Sequence, residues 1–120
     1  MKRNFLPKER GATRNWGPPF WYFIHMAAVS YPQNPTPEMK SVMKNFIVGI
    51  PIFLPCEICR VHSMKYLESK KHLFDWAVSN RDNLFEFTWA FHNEVNVQNR
   101  KLPISLAAAK EEYHFFEKLN

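Results

Sequence analysis

Two cysteines separated by two residues are the part of this sequence best suited to chemistry. They lie in the segment P-C-E-I-C at residues 55–59, and a proline in front of them is typical of a helix start. Cysteines three apart on one helical turn lie within disulfide reach. The positive end of the helix dipole stabilises a thiolate there. The spacing therefore predicts a redox-active disulfide in which Cys56 carries the more reactive sulfur.

Other interpretations of the cysteine pair stay open from the residues alone. The two side chains could pack as small apolar groups, or they could bind zinc together with His62 and His72, which would complete four ligands. Positions 56, 59 and 62 continue one predicted helix, however, whereas structural zinc sites usually hold a CxxC in a knuckle. A thioredoxin-like motif would need a βαβ frame, and no strand pattern surrounds the pair.

A polar segment later in the chain is suited to holding a planar ligand. In H-N-E-V-N at 92–96, His92 and Asn96 are four apart and share one helix face. Phe85, Trp89 and Asn99 extend that face over four turns. Such a stripe could stack a ring at its aromatic end and donate hydrogen bonds at its polar end. The alternative is a core stripe whose polar groups are satisfied internally.

A third segment, W-G-P-P-F-W at 16–21, is followed by His25 at helical spacing from Trp21. Gly17 would let a ligand approach the backbone at a helix N-terminus, where phosphate groups bind. Aromatic packing in the core is the alternative. Arg100 and Lys101 could neutralise a pyrophosphate, or they could simply be solvated.

Together these segments favour one kind of site. A redox-active dithiol needs an electron acceptor, and the 120 residues contain no second dithiol. Two electrons must therefore leave through a cofactor or another protein. An aromatic pocket with histidine, asparagine and lysine suits a flavin dinucleotide better than a metal.

The elements that position these residues are predicted to be helical throughout, because no segment shows the strict alternation of a half-buried strand. Prolines separate the helices, and Thr36 and Ser105 are well placed as N-caps. We expect an all-α four-helix bundle with a short fifth helix. The predicted helices span residues 17–31, 37–50, 55–71, 84–100 and 106–119.

Length and composition suit one globular domain. The chain has 120 residues, of which 46% are hydrophobic and 22% charged, and its net charge is +5. Residues 1–15 are predicted to be a basic, flexible tail that is either solvated or close to a phosphate-bearing ligand, and residues 16–120 to be the domain. No segment has the ~20 apolar residues of a membrane span, and none has the apolar region of a secretory signal. Nucleic-acid binding would rest on net charge alone, and we do not expect it.

The chain resembles the Erv/ALR family of FAD-linked sulfhydryl oxidases. The segments that carry the resemblance cover about residues 16–113, and their order and spacing are specific. They are W-G-P-P-F-W-Y-F-I-H at 16–25, Y-P at 31–32, P-C-E-I-C at 55–59 and H-N-E-V-N at 92–96, followed by Lys101. The Trp-Gly-Pro start and the short length are most similar to the minimal members found in large DNA viruses.

The resemblance implies a fold, a reaction and roles for residues. It implies a four-helix bundle that holds FAD at its mouth, usually as a homodimer, and that converts two thiols and O2 into a disulfide and H2O2. By motif position, Cys56 exchanges with the substrate and Cys59 lies next to the flavin. Besides Cys59, the predicted FAD contacts are Trp16, Gly17, Trp21, His25, Trp89, His92, Asn93, Val95, Asn96, Lys101 and Tyr113.

The chain departs from many family members in three respects. It has neither a distal shuttle dithiol nor the additional structural disulfide, and Pro18 stands where cellular members often have arginine. The substrate, for example a small thioredoxin-like protein, is therefore expected to reach Cys56 directly. We expect a cytoplasmic location in a virus-infected cell or in the virion, with the mitochondrial intermembrane space as the alternative. The rival function is a non-enzymatic basic helical adaptor with a structural or zinc-binding CxxC.

Overall fold

The structure, a computed structural model, describes residues 13–117. Within that range the regular elements are all helical and no strand occurs. Four long helices and a short C-terminal one confirm the predicted all-α bundle. A single-turn helix, α4, was not predicted. In chain order the helices are α1 (Thr13–Val29), α2 (Pro37–Gly49), α3 (Glu57–Lys70), α4 (Phe74–Ala77), α5 (Arg81–Gln98) and α6 (Leu106–Glu112).

Side-chain caps define the starts of several helices. The backbone N–H of Met39 donates to Thr36 Oγ1 at 3.1 Å, and the N–H of Ala108 donates to Ser105 Oγ at 3.1 Å. Each cap satisfies one of the N–H groups that a helix start leaves without an intrahelical partner. Both predicted N-caps are therefore confirmed. α3 begins after a less usual cap, Cys56, which belongs to the candidate site.

The first helix begins earlier than predicted. Pro18 and Pro19 lie inside α1, which starts at Thr13, rather than in its first turn. A proline within a helix removes one backbone hydrogen bond, and burial of the α1 face that carries Gly17, Trp21 and Ile24 outweighs that cost here. Thr13–Asn15 thus belong to α1. The remainder of the predicted tail, residues 1–12, lies outside the described part of the chain, and the tail stays a prediction.

The last helix is shorter than predicted because the backbone reverses after Glu112. His114 has φ of 59°, a left-handed conformation, and the N–H of Phe115 donates back to Lys110 O at 2.8 Å. This pattern ends a helix. The ring of Phe115 then packs against Phe85, with 5.0 Å between ring centroids, so burial of an aromatic side chain stabilises the turn.

The core is centred on the contact between α1 and α5, the most extensive contact between helices. Ile24 and Ala28 of α1 and Phe85 and Phe91 of α5 are almost completely buried. Because these helices pack along their length, the polar residues next to the core side chains are brought together as well. In residues 13–117, no helix is both long and apolar enough to cross a bilayer.

Candidate active site

A cavity of about 460 Å³ opens between α1, α3, α5 and the end of α6. Its volume lies within the range typical of small-molecule and cofactor sites. Aromatic and aliphatic side chains form much of the wall, with polar groups at intervals. The lining residues include Thr13, Trp16, Gly17, Trp21, Tyr22, Cys59, Ser63, Tyr66, Phe91, His92, Val95, Asn96, Lys101 and Tyr113.

The two cysteines form a disulfide at the start of α3, with 5.2 Å between their Cα atoms. Cys56 is the N-cap of α3, and its Sγ accepts a hydrogen bond from the backbone N–H of Cys59 at 3.3 Å. A sulfur in this position lies next to the free N–H groups of a helix start, which stabilise negative charge. Cys59 lines the cavity, whereas Cys56 does not. The two sulfurs therefore have different surroundings.

A buried arginine holds the segment in front of the disulfide. Arg60 is 5% exposed, and one of its terminal nitrogens donates to Leu54 O at 2.6 Å. A charge-assisted hydrogen bond of this kind is among the stronger ones in proteins. It ties the chain that leads into Cys56 to the first turn of α3, which limits the movement of the disulfide relative to the cavity.

Stacked rings form one wall of the cavity. The rings of Trp21 and His92 are 4.3 Å apart and nearly parallel, with 7° between their planes. Phe91 contacts the edge of Trp21 at 5.2 Å and stacks on Tyr66 at 5.5 Å. This wall connects α1, α3 and α5, so flat aromatic surfaces lie close to Cys59.

Two histidines meet behind that wall. His25 Nε2 and His92 Nδ1 are 2.8 Å apart. Burial, with a contribution from His92, lowers the pKa of His25 to about 3. Burial and the charge of Lys101 lower the pKa of His92 to about 4. Desolvation disfavours the charged form of an imidazole, so both rings are neutral at neutral pH.

Most of the residues predicted to bind a cofactor do line the cavity. They are Trp16, Gly17, Trp21, Cys59, His92, Val95, Asn96, Lys101 and Tyr113. Gly17 is not at a helix start as expected, because α1 begins at Thr13. A Cβ added to Gly17 would meet only Thr13 Cγ2, at 3.7 Å. The surrounding protein atoms therefore do not themselves require glycine there.

Three predicted contacts lie elsewhere. His25 is 1% exposed and lies behind His92. The indole N–H of Trp89 donates to Ile104 O at 2.8 Å. The side-chain amide of Asn93 also bonds to the backbone of Ile104. Its Nδ2 donates to Ile104 O at 2.8 Å, and its Oδ1 accepts from Ile104 N–H at 3.0 Å. In this structure Trp89 and Asn93 hold the connection between α5 and α6, and a direct role toward a cofactor stays a prediction for them.

Several residues of the cavity wall are not among those predicted from the sequence. Tyr66 and Ser63 lie seven and four positions after Cys59 and share its helix face, a spacing that could have identified them. Tyr22 and Thr13 gave no comparable signal. Thr13 lies in a turn that precedes two prolines, where the sequence predicts a helix start rather than a helix interior.

The geometry does not favour a zinc site. The two cysteine sulfurs are bonded to each other, whereas zinc requires free thiolates. Across residues 13–117, no group of three or more histidine, cysteine, aspartate or glutamate side chains is arranged to hold a metal ion.

The fold and the cavity define a helical redox protein in which a CxxC disulfide adjoins a cavity of cofactor size. The chain belongs to the Erv1/Alr family, whose sequence profile matches residues 18–114.

Individual relatives agree with this assignment. Protein 096R of Invertebrate iridescent virus 3 is 36% identical over 98 residues, which are 82% of this chain and 65% of that protein. The FAD-linked sulfhydryl oxidase of African swine fever virus is 33% identical over 99 residues, which cover 82% of this chain and 80% of the viral enzyme. The chain thus spans slightly less than two thirds of the first relative and four fifths of the second.

Solved structures show the same fold. The crystal structure of the FAD-binding domain of Erv1 from Saccharomyces cerevisiae superposes with a TM-score of 0.79 at 25% identity, covering 91% of this chain and all of that domain. The yeast Erv1 core superposes equally well, with a TM-score of 0.79 at 24% identity, over 98% of this chain and 96% of that one.

Proposed function

We propose that this protein is an FAD-linked sulfhydryl oxidase, which converts a protein dithiol and O2 into a disulfide and H2O2. The observation that carries the proposal is the position of Cys59, a disulfide cysteine in the wall of a cavity of cofactor size. Membership of the Erv1/Alr family supports it, as does the viral relative named an FAD-linked sulfhydryl oxidase.

The residues of the cavity fit a flavin dinucleotide. Trp21, Tyr66 and Phe91 offer flat apolar surfaces for a ring system, and His92 and Asn96 offer polar atoms. Lys101 supplies a positive charge suited to a pyrophosphate. The alternative interpretation was that these side chains only pack in the core. It is not supported, because a space of about 460 Å³ is too large for a packing defect.

The first half of the reaction is a thiol–disulfide exchange at Cys56. A substrate thiolate attacks Cys56 Sγ, the Cys56–Cys59 bond breaks, and Cys59 leaves as a thiolate. The second substrate thiolate then attacks the substrate sulfur of the mixed disulfide and displaces Cys56. The substrate gains one disulfide, and the two cysteines are reduced. The start of α3 stabilises the Cys56 thiolate because the backbone N–H of Cys59 donates to its sulfur.

The second half requires the electrons to leave the protein. A bound FAD would supply a two-electron acceptor for the reduced cysteine pair, with O2 as the final acceptor. The chain's own contribution is to hold Cys59 at the cavity wall, where Arg60 fixes the preceding segment, and to close the disulfide again. The neutral histidine pair adds no positive charge to the site.

Serine variants of the two cysteines test this proposal. Cys56→Ser and Cys59→Ser should each stop oxygen consumption with dithiothreitol, while the purified proteins keep the absorbance of bound flavin near 450 nm. Loss of a long-wavelength thiolate–flavin band only in Cys59→Ser would support its position at the flavin. Ser41→Ala, exposed on α2, is the control and should remain active. Normal turnover by either cysteine variant, or a protein that retains no flavin, would contradict the proposal.

We propose further that the substrate is a small thioredoxin-like protein and that two copies of the chain associate. The 120 residues hold no second dithiol, and we propose that the substrate exchanges directly with Cys56. For association, Phe23 of α1 and Met39 and Val42 of α2 form an exposed apolar surface. Phe23 contacts Phe46, with 6.0 Å between ring centroids, which shows that the two helices are adjacent there. An apolar surface of this kind favours burial against a partner.

We also propose that the protein acts in the cytoplasm of a virus-infected cell or in the virion. The support is the similarity to proteins of an iridescent virus and of African swine fever virus. Localisation of a tagged chain in infected cells would test it, and accumulation in mitochondria would contradict it.

A further inference from the structure

A chain of hydrogen bonds runs from the backbone of α5 through two histidines to the cavity. Thr88 Oγ1 donates to Phe85 O at 2.9 Å, and the same oxygen is 3.3 Å from His25 Nδ1. His25 Nε2 is in turn 2.8 Å from His92 Nδ1. Thr88 and His25 are 5% and 1% exposed, so water does not compete for these bonds.

The donor at each step follows from the first bond. A backbone carbonyl can only accept, so the single proton of the Thr88 hydroxyl is committed to Phe85 O. Toward His25, Thr88 Oγ1 can then only accept a hydrogen bond. His25 Nδ1 therefore carries a proton and donates it to Thr88.

The tautomer of the second histidine follows from the first. The lowered pKa values of His25 and His92 keep both rings neutral, so each carries one proton. Because the proton of His25 is on Nδ1, its Nε2 has a free lone pair and accepts from His92 Nδ1–H. The remaining nitrogen, His92 Nε2, is an acceptor without a proton.

His92 Nε2 is accessible from the cavity. His92 lines that cavity, and its Nε2 makes no hydrogen bond to any residue in 13–117. Arg60 Nε is the only fully buried side-chain nitrogen or oxygen atom in that range without a partner. His92 Nε2 is therefore not buried, and the open space next to it is the cavity.

We infer that Thr88 is a positioning residue that sets the direction of this hydrogen-bond chain, so that His92 presents Nε2 to the ligand as an acceptor. The matching ligand group is a hydrogen-bond donor, such as a hydroxyl or an amino group. The opposite direction would present an N–H, which would match a carbonyl or phosphate oxygen instead. The assignment of the donor to FAD rests on the proposed function, whereas the tautomers do not.

Two substitutions of Thr88 test the inference. Thr88→Val keeps the shape and removes the hydroxyl, whereas Thr88→Ser, the matched control, keeps it. Two-bond ¹H–¹⁵N correlation spectra of the purified full-length protein distinguish a histidine protonated on Nδ1 from one protonated on Nε2. We expect Nδ1–H forms of His25 and His92 in the original protein and in Thr88→Ser. We expect Nε2–H forms to appear in Thr88→Val.

The same variants give a binding result. FAD affinity should fall roughly five- to tenfold in Thr88→Val, as expected for one neutral hydrogen bond, and recover in Thr88→Ser. An Nε2–H form of His92 in the original protein would overturn the inference even if Thr88→Val failed to fold. Unchanged tautomers in a folded Thr88→Val would also overturn it. A protein that binds no FAD but shows the expected tautomers would refute the proposed function and leave the inference intact.

Discussion

Cys56 and Cys59 differ in their surroundings although they are bonded to each other. Cys56 caps α3 and lies outside the cavity lining, whereas Cys59 lies one turn along the helix and lines the cavity. A helix start stabilises thiolate in either residue, but only one of them is next to the space for a cofactor. The difference in surroundings therefore arises from position at the first turn and not from residue type.

The paired histidines give the protein a stability that depends on pH. Their pKa values are lowered to about 3 and about 4 in the folded chain, below the value of about 6.5 expected in the unfolded chain. Between these values the unfolded chain binds more protons, so the free energy of unfolding should fall as pH decreases below about 6.5. The loss is at most ~1.4 kcal/mol per pH unit for each imidazole.

Urea denaturation between pH 7.5 and 4.5 measures this dependence. His92→Gln should reduce the slope of the free energy of unfolding against pH by the equivalent of about one bound proton. His72→Ala changes an exposed side chain outside the cavity lining and should leave the slope unchanged. A free energy of unfolding that does not change between pH 7 and pH 5 in the original protein would show that the buried pair does not resist protonation.

At the scale of elements, α5 both lines the cavity and holds the connection to α6. The sequence does not show which of its residues does which. One face carries His92 and Asn96 to the cavity. The neighbouring face carries Trp89 and Asn93 to the backbone of Ile104. That second contact fixes the connection to α6, and α6 in turn places Tyr113 at the cavity wall. The ring of Tyr113 lies 4.2 Å from that of His25, and its pKa is raised to about 12, mainly by burial.

Asn93→Ala should loosen α6 without removing a lining residue of the cavity. Two hydrogen bonds to Ile104 are lost, so we expect a decrease of about 1–3 kcal/mol in the free energy of unfolding. Hydrogen exchange should accelerate at the Ile104 amide, which donates to Asn93. Gln98→Ala, which removes an exposed hydrogen bond to Glu94, should leave Ile104 protected. Equal protection of the Ile104 amide in both variants would show that Asn93 does not hold the connection to α6.

At the scale of the whole molecule, one short-range disulfide cannot hold the helices together. It links residues three apart at the start of one helix, so the fold depends on packing between helices, above all between α1 and α5. A ligand that binds only the folded state stabilises it by mass action, by ~2.7 kcal/mol at a hundred times Kd. The exposed apolar surface of α1 and α2 provides a further contribution if it is buried between two copies.

A charge placed in that apolar surface tests the association. Phe23→Glu should shift the protein to a monomer in sedimentation velocity experiments, because burying an unpaired carboxylate is costly. Leu102→Glu, at a position that is 89% exposed in the connection after α5, should leave the association state unchanged. A protein that is already monomeric at high concentration would contradict the proposed dimer.

The sequence by itself determined the helical class, the caps at Thr36 and Ser105 and the cysteine pair. These features depend on local spacing and on residue types with strong preferences. The resemblance to the Erv/ALR family added nine of the residues that line the cavity. The sequence did not determine the start of α1. Local preferences alone place Pro18 and Pro19 in the first turn of a helix, whereas α1 begins at Thr13. Burial of the α1 face that carries Gly17 and Trp21 decided that start.

Only the tertiary structure decided which of the candidate polar groups meet. Trp89 and Asn93 share a helix with His92, yet they contact Ile104 because the connection to α6 returns along that side. The link from Thr88 through His25 to His92 joins residues 63 and 67 positions apart. No periodicity within one helix can predict a contact of that range, because it depends on how α1 packs against α5.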